Sequence, residues 1–353
     1  VKVLVTDGAN RVALAVVRAL GRAGHEVRVT ETPRRAVPRP ASFDSRHVRR
    51  AIVAEDPRAA AEDADVIVPV SSNTVLAMAG LPRTALPDAR TLRRANSRDL
   101  LLPLARSLGL DVPRTWVPRD AAELKRAADE VGFPAVVKFR TDEGLFLDPA
   151  DRYAIVRDRD ELMLAYGRLG ATQERPLIQE FVEGEGRGWS ALYDRGRLVA
   201  QLSHRRLREY PVTGGPSTAC ESVRDPAMEA AGRALLEALE WHGVAMVEFK
   251  RSGGRVVLME INPRFWGSLP LGLACGINFP DLLVRVAAGQ APNAAGGYPA
   301  GRRVRFFFHD LAAAVRRPGY WKGFLRDLGC RDGILSLEDP RASLRYVANL
   351  IHP

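Results

Sequence analysis

The sequence predicts an α/β protein in which a parallel N-terminal sheet precedes a second, larger α+β unit. Three observations carry that expectation. Apolar strand-like runs alternate with helical spacing over the first 95 residues, the pattern of a parallel sheet with helices on its faces. From residue 176 the chain turns strand-rich, with turn residues between the runs. Within the last of these runs, VVLMEINPRFWGS (256–268) places Glu260, Asn262 and Arg264 at every second position. Residues so spaced point to one face of an extended chain, so a carboxylate, an amide and a guanidinium stand in one row.

VKVLVT, NRVALAVVRALGRAG and HEVRVTE read as strand, helix and strand, with Gly24 as the helix stop. HVRRAIVA and ADVIVPVS are further strands, the second after a short acidic helix. DGAN resembles a nucleotide-binding turn and Glu31 ends the second strand, but Gly8 stands alone without GxGxxG spacing, so the turn itself accounts for the glycine. A new unit begins near Asn96. SRDLLLPLARSLGL has helical spacing, DVPRTWVP is extended, and DAAELKRAADEVG is an amphipathic helix capped by Asp120 and stopped at Gly132. FPAVVKFR is a strand, a polar segment covers 141–151, and RDELMLAYGRLG is a helix. PLIQEFV, GWSALYD and RLVAQLSHRRLREYP are strands, with DRGR as a turn. The helix PAMEAAGRALLEALEW leads to two more strands, VAMVEFKR and RVVLMEIN, and NFPDLLVRVAAG is helical. A Gly/Pro/Ala-rich linker at 291–301 opens onto a basic tail. The expected domains are an α/β unit at 1–95, a small lobe at 96–174, a large lobe with the metal and substrate site at 175–292, and a basic C-terminal extension at 293–353.

A chain of 353 residues exceeds one small core, and two or three domains are expected. Its composition, 46% hydrophobic and 27% charged, is that of a soluble globular protein. The net charge of +10 fits an anionic ligand or an arginine-rich solvated surface. No zinc-finger spacing or aromatic-plus-basic RNA signature is present, so no nucleic-acid partner is expected. Cys220, Cys275 and Cys330 form no CxxC pair, which favours a reducing, cytoplasmic setting. VKVLVTDG opens as a strand and unlike a leader, and no apolar run approaches the ~20 residues of a membrane span.

VAMVEFKR-SGG-RVVLMEIN is a hairpin by pattern, and its register decides what the row of polar groups meets. A two-residue Gly-Gly turn sends Glu248 to the face away from Glu260, because one slip reverses every side chain. A three-residue loop (Ser252, Gly253, Gly254) sets Glu248 opposite Leu258 and diagonal to Glu260. It also gathers Val247, Phe249, Val257, Met259 and Ile261 on one apolar face, and is the register expected. Glu248, Glu260 and Asn262 then form a set of hard oxygen donors suited to Mg²⁺, which binds through one or two carboxylates plus substrate phosphates. Two adjacent carboxylates without a cation repel, and one is driven to protonate. The competing reading is a solvent-facing strand with Lys250 and Arg264 as counter-ions. Arg264, one step past Pro263, leaves the sheet with a guanidinium suited to bidentate anion contact.

Taken in order, these stretches resemble the ATP-grasp superfamily of ligases over residues 1–289. HRRLREYP, TGGPST, WHGVAMVEFKR and LMEINPRFWGS are similar to a carboxylate–amine ligase subgroup, with echoes of the carbamoyl-phosphate synthase large chain. The resemblance implies a Rossmann-like N-terminal sheet followed by a two-lobed ATP-grasp with ATP between the lobes. It implies Glu248, Glu260 and Asn262 as ligands of Mg²⁺ (or Mn²⁺), and Lys138 and Arg98 on the nucleotide phosphates. Gln179, Glu180, Phe181 and Val182 become the hinge that grips adenine, through backbone groups of Glu180 and Val182, with Glu185 on the ribose. The loop at 210–222 becomes the acceptor end, where Gly214, Gly215, Ser217 and Thr218 cradle an oxyanion. By period-two counting His204, Arg206 and Arg208 line a strand face beside it, suited to an anionic substrate. Relatives carry a glycine-rich flap after the lysine strand, whereas TDEGLFLDPAD holds Gly144 alone. Cys220 adjoins the acceptor loop without a paired base, which disfavours a covalent role.

The activity so implied is ATP-dependent activation of a carboxylate as an acyl phosphate, followed by amine attack, with Arg264 and Lys138 as the catalytic cations. Carboxyphosphate chemistry on bicarbonate and a non-catalytic nucleotide sensor are the alternatives. Partners are then small carboxylates and amines, and a homodimer is compatible with the resemblance. The basic, aromatic tail fits either packing on its own domain or contact with an anionic membrane surface or lipid-linked acceptor.

Overall fold

The computed structural model describes residues 1–36, 38–145, 149–212, 214–290, 292 and 296–351, and three sheets order them. In the first, β1 (Lys2–Val5), β2 (Glu26–Glu31), β3 (Val48–Val53) and β4 (Val66–Val68) run parallel in the order β3-β2-β1-β4. Between β1 and β2 lies α1 (Arg11–Arg22), capped by the Asn10 side chain and closed before Gly24, whose φ of +85° suits glycine. The DGAN turn is committed internally. Glu31 accepts a hydrogen bond from the Ala9 N–H at 2.9 Å, and a side chain at Gly8 would meet Phe43 and Val29 at 2.9 Å. After β4, the short α2 (Ser72–Ala77) is capped by Ser71.

Two helices, α3 (Ala89–Asn96) and α4 (Arg98–Ser107), lead to the second sheet. It orders β5 (Thr115–Trp116), β6 (Ala135–Lys138), β7 (Tyr153–Val156) and β8 (Leu177–Glu180) as β5-β8-β6-β7, all antiparallel. The strand Tyr153–Val156 is not among those expected; it directly follows the polar segment. Alternation sorts β6: Ala135 and Val137 pack with α5 (Ala121–Glu130) and α6 (Arg159–Gly170), while Val136 and Lys138 face a cleft. Of the lysine-strand flap, residues 146–148 lie outside the described residues, but its near end is fastened. Ser97 bridges Thr141, and Gly144 N–H donates to Asn73 at 3.0 Å.

The third sheet has seven strands. β9 (Glu185–Asp194), β10 (Arg197–Glu209), β11 (Ser217–Val223), β12 (Gly243–Ser252) and β13 (Arg255–Asn262) are antiparallel in the order β13-β12-β9-β10-β11. Helix α7 (Pro226–Ala238) covers one face, where Trp189, Tyr193, Val247 and Phe249 are buried. The other face shares one continuous apolar core with the N-terminal sheet, from Val3, Val16 and Val27 to Leu202, Val244 and Trp266. Helices α8 (Leu269–Ala274) and α9 (Phe279–Ala287) complete that layer.

The tail is built into the fold. β14 (Arg303–Arg305) extends the large sheet beside β11, and β15 (Arg331–Asp332) pairs with it in parallel, across α10 (Phe307–Arg316) and α11 (Trp321–Arg326). α12 (Pro340–Ile351) returns to the N-terminal unit, where Arg18 and Asp339 form a buried ion pair at 2.8 Å. Among the described residues no helix is long and apolar enough to cross a membrane.

One buried network ties the tail to the large sheet and corrects the strand-face reading. β10 is bulged at Leu207, so Arg206 pairs with Cys220 but Arg208 pairs with Ala219. The extra residue reverses the alternation. Arg208 therefore turns away from the cleft, donating to Asp310 at 2.7 and 2.8 Å and to Asp327 at 2.8 Å, while Thr218 also donates to Asp310. Arg208 is only 3% exposed and Asp310 is fully buried, so neither carboxylate would readily keep its charge alone. We expect Arg208→Met to cost about 3–5 kcal/mol, the penalty for stranding buried charge. Thr218→Val should cost about 1 kcal/mol, a single hydrogen bond. Urea unfolding of the two variants checks both, and equal losses would contradict this ranking.

Candidate active site

β12 and β13 form the floor of a cleft of about 350 Å³ between the small and large sheets. Their hairpin turns on Gly253 and Gly254, with φ of +54° and +84°, and pairs Ser252 with Arg255. This is a two-residue turn whose twist matches the strands, and it corrects the expected three-residue loop. A uniform ladder from such a turn would set Glu248 opposite Met259 and leave Glu260 on the other face. A β-bulge at Met259 resolves the conflict: Phe249 pairs with Leu258, and Glu248 pairs with Glu260. The two carboxylates thus stand directly opposite each other, in place of the expected diagonal arrangement. The apolar side of the hairpin is Val247, Phe249, Leu258 and Ile261. Of the other residues expected there, Met259 lines the cleft and Val257 lies opposite Lys250.

Asn262, 7% exposed, completes the row. Its amide nitrogen donates to Glu248 at 3.1 Å and to Glu260 at 3.4 Å, and its oxygen accepts from Arg264 at 2.8 Å. Arg264 also donates to the Ser72 hydroxyl at 3.1 Å and to the Phe265 carbonyl at 2.9 Å. Arg98 donates through Nε to Glu260 at 3.1 Å and reaches Asp142 at 3.4 Å. Arg206 is ion-paired with Glu248. Burial pushes Glu260 up, but Arg98 and Lys138 outweigh it and hold the carboxyl well below the usual range. Burial dominates at Glu248, against Arg206, and raises it. The Lys138 ammonium is pushed down to about 8 by burial and by Arg98, against the pull of Glu260 and Asp142.

Two opposed carboxylates and one amide oxygen are hard donors that fit Mg²⁺ or Mn²⁺. Among the described residues no group of three or more His, Cys, Asp or Glu is arranged to hold a metal. The donor set therefore suits a cation that completes its shell with phosphate oxygens and water.

At the other end, β8 stops at Glu180 and β9 begins at Glu185. Residues 181–184 connect the lobes outside either ladder, so the N–H and C=O of Val182 are not committed to a strand. Phe181 and Val182 line the cleft with Val136, Ile155 and Met259, which gives that end an apolar wall. Gln179 lines it too, although its side chain donates to Thr115 at 2.8 Å. Lys250 stacks 5.3 Å from the Phe181 ring.

The structure gathers Arg98, Lys138, Gln179, Glu180, Phe181, Val182, Arg206, Gly214, Gly215, Glu248, Glu260, Asn262 and Arg264 around one cleft. Other expected residues are elsewhere. Glu185 is bound to Arg187 at 2.7 Å and faces Arg205. His204, 2% exposed, contacts Ser268 at 3.2 Å, and burial lowers it to about 3, so it is a neutral interior ring. Ser217 and Thr218 belong to β11, and Thr218 serves Asp310. The N–H groups of Gly214 and Gly215 both donate to the Pro211 carbonyl, so they close the turn. A side chain at Gly215 would meet the Tyr210 backbone at 2.2 Å, which explains the glycine. Thr213 lies outside the described residues. Cys220 is fully buried and its thiol is pushed up to about 12, in keeping with an inert role. The cleft also holds residues that sequence reasoning missed: Asp142, Arg152, Tyr153, Glu209, Lys250 and Met259. The β10 bulge substitutes Glu209 for Arg208 on the cleft face.

Residues 172–306 match a family model described as ATP-grasp in the biosynthetic pathway with Ter operon. The chain is 26% identical over 215 residues to the carbamoyl phosphate synthase large chain of Thermus thermophilus, covering 56% of this chain and 20% of that one. It is 27% identical over 215 residues to the formate-dependent phosphoribosylglycinamide formyltransferase of a Synechococcus species, covering 57% and 53%. The chain thus matches a fifth and about half of the length of these two relatives. Among solved structures, N5-carboxyaminoimidazole ribonucleotide synthetase from Thermus thermophilus superposes with a TM-score of 0.65 at 20% identity, covering 85% of this chain and 81% of that one. Biotin carboxylase from Campylobacter jejuni gives 0.66 at 16%, covering 86% and 74%. These likenesses establish the ATP-grasp fold.

The low Lys138 value has a testable sign. The folded protein releases this proton near pH 8, whereas an exposed lysine holds it to about 10.5. Nucleotide-free protein should therefore gain stability from this group as pH rises through that window. Denaturant titrations at about pH 7.5 and about pH 9.5 should show a gain that Lys138→Met lacks. An identical pH response in the two proteins would contradict the assigned environment.

Proposed function

We propose, for a chain that is a member of the ATP-grasp superfamily, that it is an ATP-dependent ligase joining a carboxylate to an amine through an acyl phosphate. One observation carries this reading: Glu248 and Glu260 stand directly opposite each other with Asn262 beside them, in one cleft with Lys138 and with Arg98, which is paired to Glu260. A pure nucleotide sensor has no need for that combination of metal donors and anion-binding cations in one cleft with an apolar wall.

The chemistry follows from charge. A free carboxylate is a poor electrophile, and transfer of the γ-phosphoryl group of ATP converts it to an acyl phosphate with ADP leaving. The amine then attacks the acyl carbon and phosphate departs. The bound divalent cation supplies charge neutralisation and in-line alignment of the phosphates. The protein positions and neutralises. Residues 181–184 and Met259 hold the base, Lys138 and Arg98 meet the phosphate oxygens, and Glu248, Glu260 and Asn262 hold the cation. Arg264, beside Asn262 and next to the N-terminal unit, faces the charge that develops on the acyl phosphate. Among the cleft's side chains Arg206 and Arg152 add positive charge near Gly214 and Gly215, which suits an anionic acid. The tail enters this reading as scaffold: Phe307 and Phe324 flank Arg305 at 4.7 and 5.4 Å, inside the protein.

A panel of carboxylates, bicarbonate included, crossed with amines and assayed for ADP release tests the reading. ADP should appear only when a suitable pair is present, and Arg264→Ala should lower turnover by about 10²–10³, as loss of one oxyanion donor does. Activity that persists in the combined Glu260→Ala and Arg264→Ala variant would overturn these roles. ATP binding without ADP release from any pair would favour the sensor.

A further inference from the structure

Each residue of the metal-binding trio has one oxygen held by its own arginine, while Oε1 of both carboxylates accepts from the Asn262 amide. Arg206 is paired with Glu248, Arg98 with Glu260, and Arg264 donates to the Asn262 oxygen at 2.8 Å. The arginines come from three different elements: β10, the start of α4, and the segment after β13. Their convergence is not a by-product of one helix or strand. The pairs are also sheltered, with side chains 17% and 19% exposed for Arg206 and Glu248 and 11% and 24% for Arg98 and Glu260. Opposed carboxylates in such a setting need a positive charge between or beside them. Three guanidiniums meet that need here.

Arg206 is the most telling of the three. It lies on the cleft face immediately before the bulge of its strand, and its other contacts are a carbonyl, that of Gly215 at 3.4 Å, and the nearby Glu209 at 3.8 Å. It thus links a metal-ligand carboxylate to the loop at the acceptor end. A cation that binds Glu248 through both oxygens competes with this guanidinium for Oε2, and the displaced group has the Gly215 carbonyl within its reach.

Resting on the ligand assignment above, we propose that Arg206 is a positioning residue that acts as a resident counter-ion: it holds Glu248 in place without metal, and a divalent cation is admitted by exchange with it. Exchange makes the bare cation a weak ligand, because it must break an ion pair before it gains one. It also couples the two ends of the cleft, since loading the metal frees a positive charge beside the acceptor loop.

The test uses Mn²⁺ alone, read as free ion by electron paramagnetic resonance, on nucleotide-free full-length protein. Arg206→Leu and Arg206→Gln remove the charge and should bind Mn²⁺ about tenfold or more tighter than wild type, because the competing cation is gone. Arg206→Lys keeps the charge and should stay near wild type. Thermal melts give a second readout: Mn²⁺ should raise the melting temperature of the Leu and Gln variants more than that of wild type. Adding Glu248→Gln to Arg206→Leu should erase the gain. No gain in either neutral variant, while Glu248→Gln still weakens binding of Mn²⁺ with ATP, would overturn the exchange and leave the ligand assignment standing. A gain that survives Glu248→Gln would overturn both, since the ion would then sit elsewhere.

Discussion

Two carboxylates facing each other across one rung of a β-ladder constrain everything around them. Neighbouring strands lie about 4.8 Å apart, and like charges at that spacing persist only in the company of cations. The cleft is organised to supply them. Lys138 arrives from the small sheet, Arg98 from the helix before it, Arg206 from the neighbouring large-sheet strand, and Arg264 from the turn after Pro263. The sheets, helices and linkers bring these groups from distant parts of the sequence to one point.

Bulges accomplish the fine placement. The bulge at Met259 lets a tight glycine turn coexist with Glu248 and Glu260 on one face, and it also delivers Met259 to the cleft. The bulge at Leu207 sends Glu209 into the cleft beside Arg206 while Arg208 goes to the opposite face to anchor the tail. Each inserted residue changes which side chains do chemistry and which hold structure. The division is visible in the partners: cleft arginines meet acids that also border open space, whereas Arg208 meets fully enclosed ones.

Much of this is legible in the sequence. The parallel N-terminal sheet emerges from alternating apolar periods, and Glu248, Glu260 and Asn262 from period-two counting with a three-residue loop, a face that the two-residue turn keeps only through the bulge. The bulges are not legible, because an extra residue in a ladder leaves no local mark on composition, and each one reverses the facing of every later side chain in its strand. That single effect accounts for Met259 and Val257 on the wrong face, for Arg208, and for the missed Glu209. Ser217 and Thr218 are misplaced for a different reason: small residues after Gly-Gly read as loop, yet Ala219 and Cys220 carry them into a buried strand. The tail looks detached because its linker is rich in Gly, Pro and Ala. Its anchoring residues, among them Val304, Phe306, Asp310, Asp327 and Asp339, are too scattered and too mixed in polarity to form a pattern.

The apolar core that runs unbroken from Val16 to Leu202 and Trp266 has a mechanical meaning. The N-terminal sheet and the large sheet share buried surface that neither can expose, so they behave as one rigid anvil. The small sheet keeps a separate core of its own around Val137, Leu162 and Ile178. The small sheet therefore joins the rest through residues 181–184 and the stretch between α4 and β5, since α4 itself packs in the large-sheet core through Leu101 and Ala105. The two acids stand on the large-sheet side of the cleft, and Lys138 on the small-sheet side.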